Sequence, residues 1–302
     1  MRILLLGADG QLGTELRRSL AGLGEVVAGT LSGRLSDGGA CEAADLSRPE
    51  ALPGLVRRLA PSLVVNAAAY TAVDRAEQER GLAFRVNAEA PDVLARACTE
   101  AGIPLVHFST DYVFDGRNDR PWREDDPTGP LGVYGASKLA GEQAVLAAGE
   151  RHFVFRLCWV YAAHGQNFLL TMLRLGGERD HLRVVDDQRG TPTPAHWIAD
   201  VVAKVLATGP ERGGLYHLAA DGVCSWHEFA CAIFAGAVAR GLLAKAPVVD
   251  AIPSSDYPTP ARRPAWSPLD CSRLSAGYGQ ALPHWRQGLE EVLDRLAREP
   301  AP

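Results

Sequence analysis

The chain runs to 302 residues, 47% hydrophobic and 22% charged, a length that buries a substantial core and a balance that excludes a disordered or fibrous chain. Its 31 glycines follow no strict period, which removes collagen and repeat architectures. The formal net charge of −5 speaks against a nucleic-acid surface, and no apolar run reaches the about 18 residues that a membrane helix needs.

Met1 leads straight into Arg2-Ile3-Leu4-Leu5-Leu6, an apolar run that predicts a buried first strand. This start lacks the basic-then-apolar order of a signal peptide, so the expected location is the cytoplasm, with no membrane partner. Short apolar runs at 25–28, 63–66, 105–108 and 153–157 predict four more strands. They alternate with helical spacing over 11–20, 50–59, 83–101 and 132–149. This is the pattern of a parallel sheet covered on both faces. Beyond Val160 the pattern loosens. Helices are expected at 165–175, 196–207, 226–238 and 284–298, with short strands near 182–185 and 215–218. Proline-rich turns are expected at 191–194 and 253–264, and a frayed tail over 298–302. The six cysteines (Cys41, Cys98, Cys158, Cys224, Cys231 and Cys271) form no C-x-x-C pair. They read as free thiols of a reducing compartment, with no structural zinc and no metal site.

Gly7-Ala8-Asp9-Gly10-Gln11-Leu12-Gly13 follows the first strand and opens a helix. Gly7 permits the tight turn, Gly10 lets the backbone approach a pyrophosphate, and Gly13 allows close packing of helix on sheet. The helix N-terminus, with Gln11 and Leu12, then faces the phosphate charges. The fold class is therefore α/β: a Rossmann-type parallel sheet with a smaller C-terminal substrate-binding lobe. Residues 1–160 form the NAD(P)-binding domain and residues 161–302 mainly the lobe, with elements free to interleave. After the second strand no carboxylate is available for a ribose hydroxyl, whereas Thr30, Ser32 and Arg34 can meet a 2′-phosphate. That favours NADPH, with NADH still open. Asp45 and Leu46 sit where a third strand passes the adenine. In Asn66-Ala67-Ala68-Ala69-Tyr70 the small residues either admit the cofactor to the backbone or simply close-pack a strand end.

Tyr134-Gly-Ala-Ser-Lys138 places a phenol and an ammonium four residues apart, on one face of a helix. A phenol titrates near pH 10, too high for proton transfer at neutrality, and a nearby ammonium is expected to lower it. Ser109-Thr110-Asp111-Tyr112 follows the end of a predicted strand, where open parallel sheets hold their ligands. These parts suit reduction of a carbonyl: NAD(P)H gives hydride, Tyr134 the proton, and Thr110 or Ser109 polarises the oxygen. His107 reads as a packed, satisfied side chain, and Asp111 as a residue that shapes the turn.

The chain resembles the extended short-chain dehydrogenase/reductase superfamily and, within it, the dTDP-4-dehydrorhamnose reductase family. The segments that carry the resemblance begin with Gly7–Gly13, Asn66–Glu77, Ser109–Gly116 and Tyr134–Glu142. They continue with Trp159-Val-Tyr161, Asp187–Thr193, Tyr216-His217, Ser225-Trp226 and Tyr257–Pro264, and so span nearly the whole chain. The resemblance implies reduction at C4 of a dTDP-linked 4-keto-6-deoxy sugar. It assigns Thr110, Tyr134 and Lys138 as the catalytic trio and puts Trp159 at the sugar-nucleotide site. Asp111, Asn167, Gln188, Thr193 and Arg262 or Arg263 are further substrate candidates. Some members dimerise with bound magnesium; Glu15 matches an acidic position in those, so Mg2+ and a homodimer stay open. The usual Arg-Thr-Ser-Trp reads Arg156-Leu157-Cys158-Trp159 here, and the glycine usual after Trp-Val-Tyr is Ala162. Another sugar-nucleotide epimerase or reductase, or a regulatory relative without catalysis, are the competing readings.

Overall fold

Strands buried on both faces need apolar residues throughout, and the first, Arg2–Leu6, shows how they are shared out. Ile3 and Leu5 face one helix layer, while Leu4 and Leu6 face the other. The computed structural model describes residues 1–298; of the frayed tail expected over 298–302, Arg298 instead ends a helix and the rest lies outside the described residues. Seven parallel strands run in the order Gly214–Leu218, Phe153–Leu157, Leu105–Thr110, Leu63–Asn66, Arg2–Leu6, Glu25–Thr30 and Cys41–Ala43. The chain builds outward from Arg2–Leu6 to one edge and then returns to its other side. The switch point therefore falls between Arg2–Leu6 and Leu63–Asn66, where the carboxyl ends of the strands leave a crevice.

Helices Gln11–Leu20 and Ala195–Ala207 cover one face, with Leu12, Leu16, Ile198 and Val202 packed on Ile3 and Leu5. Leu52–Leu59, Ala90–Glu100 and Val133–Ala148 cover the other. The edge strand Gly214–Leu218 and the helix Ala195–Ala207 both come from beyond residue 160, so the two halves interleave. The remaining lobe has its own core, in which Tyr161, Phe229, Phe234, Trp285 and Leu289 join three helices: Phe168–Glu178, Trp226–Ala239 and Trp285–Arg298. A small parallel sheet of His181–Val185 and Val248–Ile252 closes it.

Two local features differ from the periodic reading. The helix expected over 83–101 begins at Arg80 and passes through a π turn at Arg85–Glu89 before Ala90–Glu100. The π turn carries the buried Asn87, whose amide holds the Tyr70 backbone N–H (2.8 Å) and carbonyl (3.0 Å) and the Ser137 hydroxyl (3.0 Å). Within the proline-rich turn, Thr193–Pro194 pairs as a short strand with Val160–Tyr161.

The helix Val133–Ala148 rides directly on that π turn. A Cβ on Gly141 would sit 1.9 Å from the Asn87 carbonyl oxygen. Glycine to alanine inside a helix ordinarily gains roughly 0.5–1 kcal/mol. Gly141→Ala should instead cost roughly 1–3 kcal/mol by overpacking and lower the unfolding midpoint. Urea or thermal denaturation followed by circular dichroism checks the sign, and a more stable variant would refute this packing.

Candidate active site

A cleft of about 1060 Å³ runs along the carboxyl ends of the strands, from the turn at Gly7–Leu12 past Ala67–Tyr70 to Thr110, Tyr134 and Trp159. Its first section fits a dinucleotide on three grounds. Gly7 adopts φ +74°, and a Cβ there would lie 2.6 Å from the Ala68 nitrogen. A Cβ on Gly13 would lie 1.9 Å from the Gly7 carbonyl oxygen, so the helix is packed as tightly on the turn as its spacing predicts. Gly10 caps the helix Gln11–Leu20 without a side chain, and the first turn holds no acidic residue. Its leading N–H groups thus meet no side-chain acceptor, which suits a phosphate.

Gly7, Gly10, Gln11 and Leu12 line the cleft, as do Asp45, Leu46, Ala67, Ala68 and Tyr70. Thr30 does not. It is buried, and its hydroxyl bonds the Arg34 carbonyl (3.1 Å) and accepts from the Arg34 N–H (3.2 Å), so it shapes the loop instead of facing a phosphate. Arg34 is exposed and does not line the cleft. Sequence reasoning missed Leu31, which is 70% exposed yet lines the cleft, and Leu82 and Val86 nearby. An exposed apolar residue after a strand was the available signal.

At the far end, Thr110 ends its strand and Asp111 lies behind it. The Thr110 hydroxyl donates to Asp111 Oδ1 (2.9 Å) and accepts from the Tyr112 N–H (3.2 Å). Cys158, at the position where the family's usual serine stands, donates its Sγ–H to Asp111 Oδ2 (3.5 Å) and accepts from the Thr191 N–H (3.3 Å). Burial pushes the Asp111 carboxyl up from its ordinary 3.8 to about 6, against the hydrogen bonds of Ser267, Thr110 and Cys158. The Ser109 hydroxyl is buried, lines the cleft and has no hydrogen-bond partner among the described residues.

Tyr134 and Lys138 both line the cleft, but the electrostatics expected of them need correction. Lys138 Nζ donates to the Phe108 carbonyl (2.6 Å) and lies 3.5 Å from His107 Nε2. Burial lowers its pKa to about 8, partly offset by Glu142. The Tyr134 phenol is pushed up to about 12 by burial, with the Thr110 hydroxyl pulling the other way. The ammonium faces a carbonyl and an imidazole, so it does not lower the phenol. His107 is fully buried, bonded to Asn66 (3.3 Å), and held well below its ordinary pKa by burial and by Lys138.

The later candidates divide. Trp159 lines the cleft. Asn167 instead caps the helix Phe168–Glu178 and ties Gln11 Oε1 (2.8 Å), while its neighbours Gly165 and Gln166 line the cleft. Gln188 donates to Ser254 (2.9 Å), and Thr193 is fully buried between the Thr191 carbonyl and the Ala220 N–H. Arg263 is held by Asp74 through two bonds (3.1 and 2.8 Å). The exposed Arg262 lines a small hollow with Tyr112, Tyr134 and Glu77. Glu15 faces Arg295 (3.3 Å), Arg18 (3.4 Å) and His164 (3.9 Å). A magnesium ion needs several oxygen ligands of uncompensated charge, and this donor set does not fit one. Among the described residues no group of three His, Cys, Asp or Glu side chains is arranged to hold a metal. All six cysteines are free.

Known proteins resemble this chain over nearly its whole length. The family described as the RmlD substrate binding domain matches residues 1–298. A dTDP-4-dehydrorhamnose reductase of Burkholderia thailandensis is 48% identical over 95% of this chain and 96% of its own length. That of Shigella flexneri is 44% identical over 98% of each. The crystal structure of dTDP-4-dehydrorhamnose reductase from Bacillus anthracis in complex with NADP superimposes with a TM-score of 0.88 at 33% identity, covering 97% of this chain and 99% of that one. Matched over nearly its whole length, the chain belongs to the dTDP-4-dehydrorhamnose reductase family.

Proposed function

We propose that the chain reduces the C4 carbonyl of dTDP-4-dehydro-β-L-rhamnose with NADPH, giving dTDP-β-L-rhamnose in the cytoplasm. One observation carries this reading: Thr110, Tyr134 and Lys138 share the end of a cleft whose other end is built for a dinucleotide. Relatives 44–48% identical over nearly their full length are named for that reaction. Among the described residues no helix is long and apolar enough to cross a membrane.

NADPH, when bound, supplies the hydride; the chain's residues handle position and the proton. The Gly7–Gly13 turn and its helix would hold the pyrophosphate. Lys138, fixed by the Phe108 carbonyl, would hold the ribose beside the reacting carbon. Tyr134 donates the proton to the oxygen released from the carbonyl. Its burial, by raising the phenol to about 12, keeps it in the protonated form that an acid requires at neutral pH. A hydroxyl has a single proton, and Thr110 spends its own on Asp111. Thr110 can polarise the substrate oxygen once Asp111 yields that bond, so Asp111 sets the direction in which Thr110 points. Arg262, the arginine not consumed by Asp74, is our candidate for the diphosphate of the sugar nucleotide. The carboxylate-free end of Glu25–Thr30 and the exposed Arg34 favour a 2′-phosphate.

Three results test this account. Purified protein should consume NADPH when given the 4-keto sugar nucleotide, and the product should be dTDP-L-rhamnose by chromatography; a different product overturns the substrate. Tyr134→Phe should lower kcat by roughly 10²–10⁴-fold with NADPH affinity unchanged, whereas preserved turnover removes Tyr134 as the acid. Arg34→Ala should raise the KM for NADPH and leave that for NADH alone; equal effects on both sink its role.

Asp111 gives a prediction of stability. Between about pH 4 and 6 the folded chain holds a proton on Asp111 that the unfolded chain has released. Stability from this group is therefore full below pH 4 and lost as pH rises through 6. Asp111→Asn should raise the unfolding free energy at pH 7, by an amount on the order of a few kcal/mol, and leave it near wild type at pH 4, as urea denaturation at the two pH values reads it. A variant less stable at pH 7 than at pH 4, relative to wild type, contradicts the assignment.

A further inference from the structure

Trp159 adopts φ +43°, a left-handed backbone that a bulky side chain rarely takes. Something must hold it there, and three contacts converge on it. Its indole lies flat on Trp226, with ring centroids 3.5 Å apart and planes within 6°. Trp226 is backed in turn by Phe168, at 4.6 Å. A Cβ added to Gly190 would stand 2.3 Å from Trp159 Cε2, so only glycine leaves room for the ring. The Trp159 carbonyl is pinned by the Thr193 N–H at 3.1 Å.

The sheet register says what this wall faces. Leu157 is paired with Thr110, so Trp159, two residues on, stands at the reacting end of the cleft. That is the end for the sugar, while the nucleobase of a long ligand lies away from it. We infer that Trp226 is a positioning residue: it fixes the strained Trp159 indole as the wall against which the sugar ring is held, with Gly190 as the clearance that admits it. This inference rests on the proposed function and adds two residues to it. Neither was assigned a role by the periodicity of the chain. Trp226 covers one face of the indole, so the sugar's C–H groups meet the apolar part of the ring that still lines the cleft.

The test separates sugar from base and from folding. Trp226→Ala should raise the KM for the 4-keto sugar nucleotide about three- to tenfold, with kcat and the KM for NADPH little changed. By calorimetry it should weaken binding of dTDP-L-rhamnose by a similar factor and leave binding of dTDP, which lacks the sugar, as in wild type. Trp226→Phe should recover part of the loss. Gly190→Ala, which displaces the indole with Trp226 intact, should show the same split. If both alanine variants weaken dTDP and NADPH equally, or change kcat alone, the inference is overturned. Should Trp226→Ala fail to fold, the phenylalanine and Gly190 variants decide by the same criteria. A wild-type chain that neither reduces the 4-keto sugar nucleotide nor binds dTDP-L-rhamnose more tightly than dTDP overturns the proposed function itself.

Discussion

The active site depends on one steric constraint, the backbone contact between the helix Val133–Ala148 and the segments beneath it. A Cβ on Gly135 would stand 2.2 Å from the Tyr112 carbonyl oxygen, and one on Gly141 would stand 1.9 Å from that of Asn87. Two glycines six residues apart let the helix settle at that distance. It thereby carries Tyr134 and Lys138 to the end of the strand Leu105–Thr110. The approach also puts the Lys138 ammonium within reach of the Phe108 carbonyl. A bulkier helix would lift both groups away from Thr110 together.

The same approach forces an unusual distribution of polarity. Tyr134, Lys138 and Glu142 recur every four residues and so share one face, which is turned inward. Glu142 is matched by Arg156 from the fully buried strand Phe153–Leu157, with contacts of 2.9 and 2.5 Å, and Arg156 lies 3.3 Å from His217. Buried ion pairs of this kind cost desolvation and bring little net stability, but removing one partner is expensive. Here the pair has an electrostatic consequence for Lys138. Burial alone drives the lysine toward its neutral form, and Glu142 opposes that, so it comes to rest at about 8. Glu142 thereby keeps much of the ammonium's charge at neutral pH.

How much of this was legible in the chain follows from the range of each signal. The strands Arg2–Leu6, Leu63–Asn66 and Phe153–Leu157 coincide with their apolar runs, because burial on both faces admits few polar residues. The phosphate turn was legible for a similar reason: glycine spacing encodes a local backbone shape. Periodicity could not announce the π turn at Arg85–Glu89, since it comes with Asn87 packing beneath a helix some fifty residues away. Nor could residue type show which way Thr30 points, or that Asn167, Gln188 and Thr193 serve loops. Polar side chains look alike whether they bond a ligand or a distant carbonyl. Spacing put Lys138 on one helix face with Tyr134, yet its effect on Tyr134 was misjudged because spacing fixes neighbours and not burial.

Those loop-tying residues explain how a nucleotide-binding sheet and a separate aromatic core act as one site. At one end Asn167 grips Gln11, a residue of the phosphate turn, and at the other Arg263 clasps Asp74 by two bonds. Between them, Asp187 holds Ser254, and Ser254 accepts from Gln188, so the loop before Gly190 is fastened to the one leading to Arg262. Each tie joins segments far apart in the chain by direct hydrogen bonds. A ligand entering between them then meets loops already ordered, and less of its binding energy goes into immobilising them. The strain held at Trp159 belongs to the same scheme, since a left-handed tryptophan persists only where its surroundings leave it no alternative.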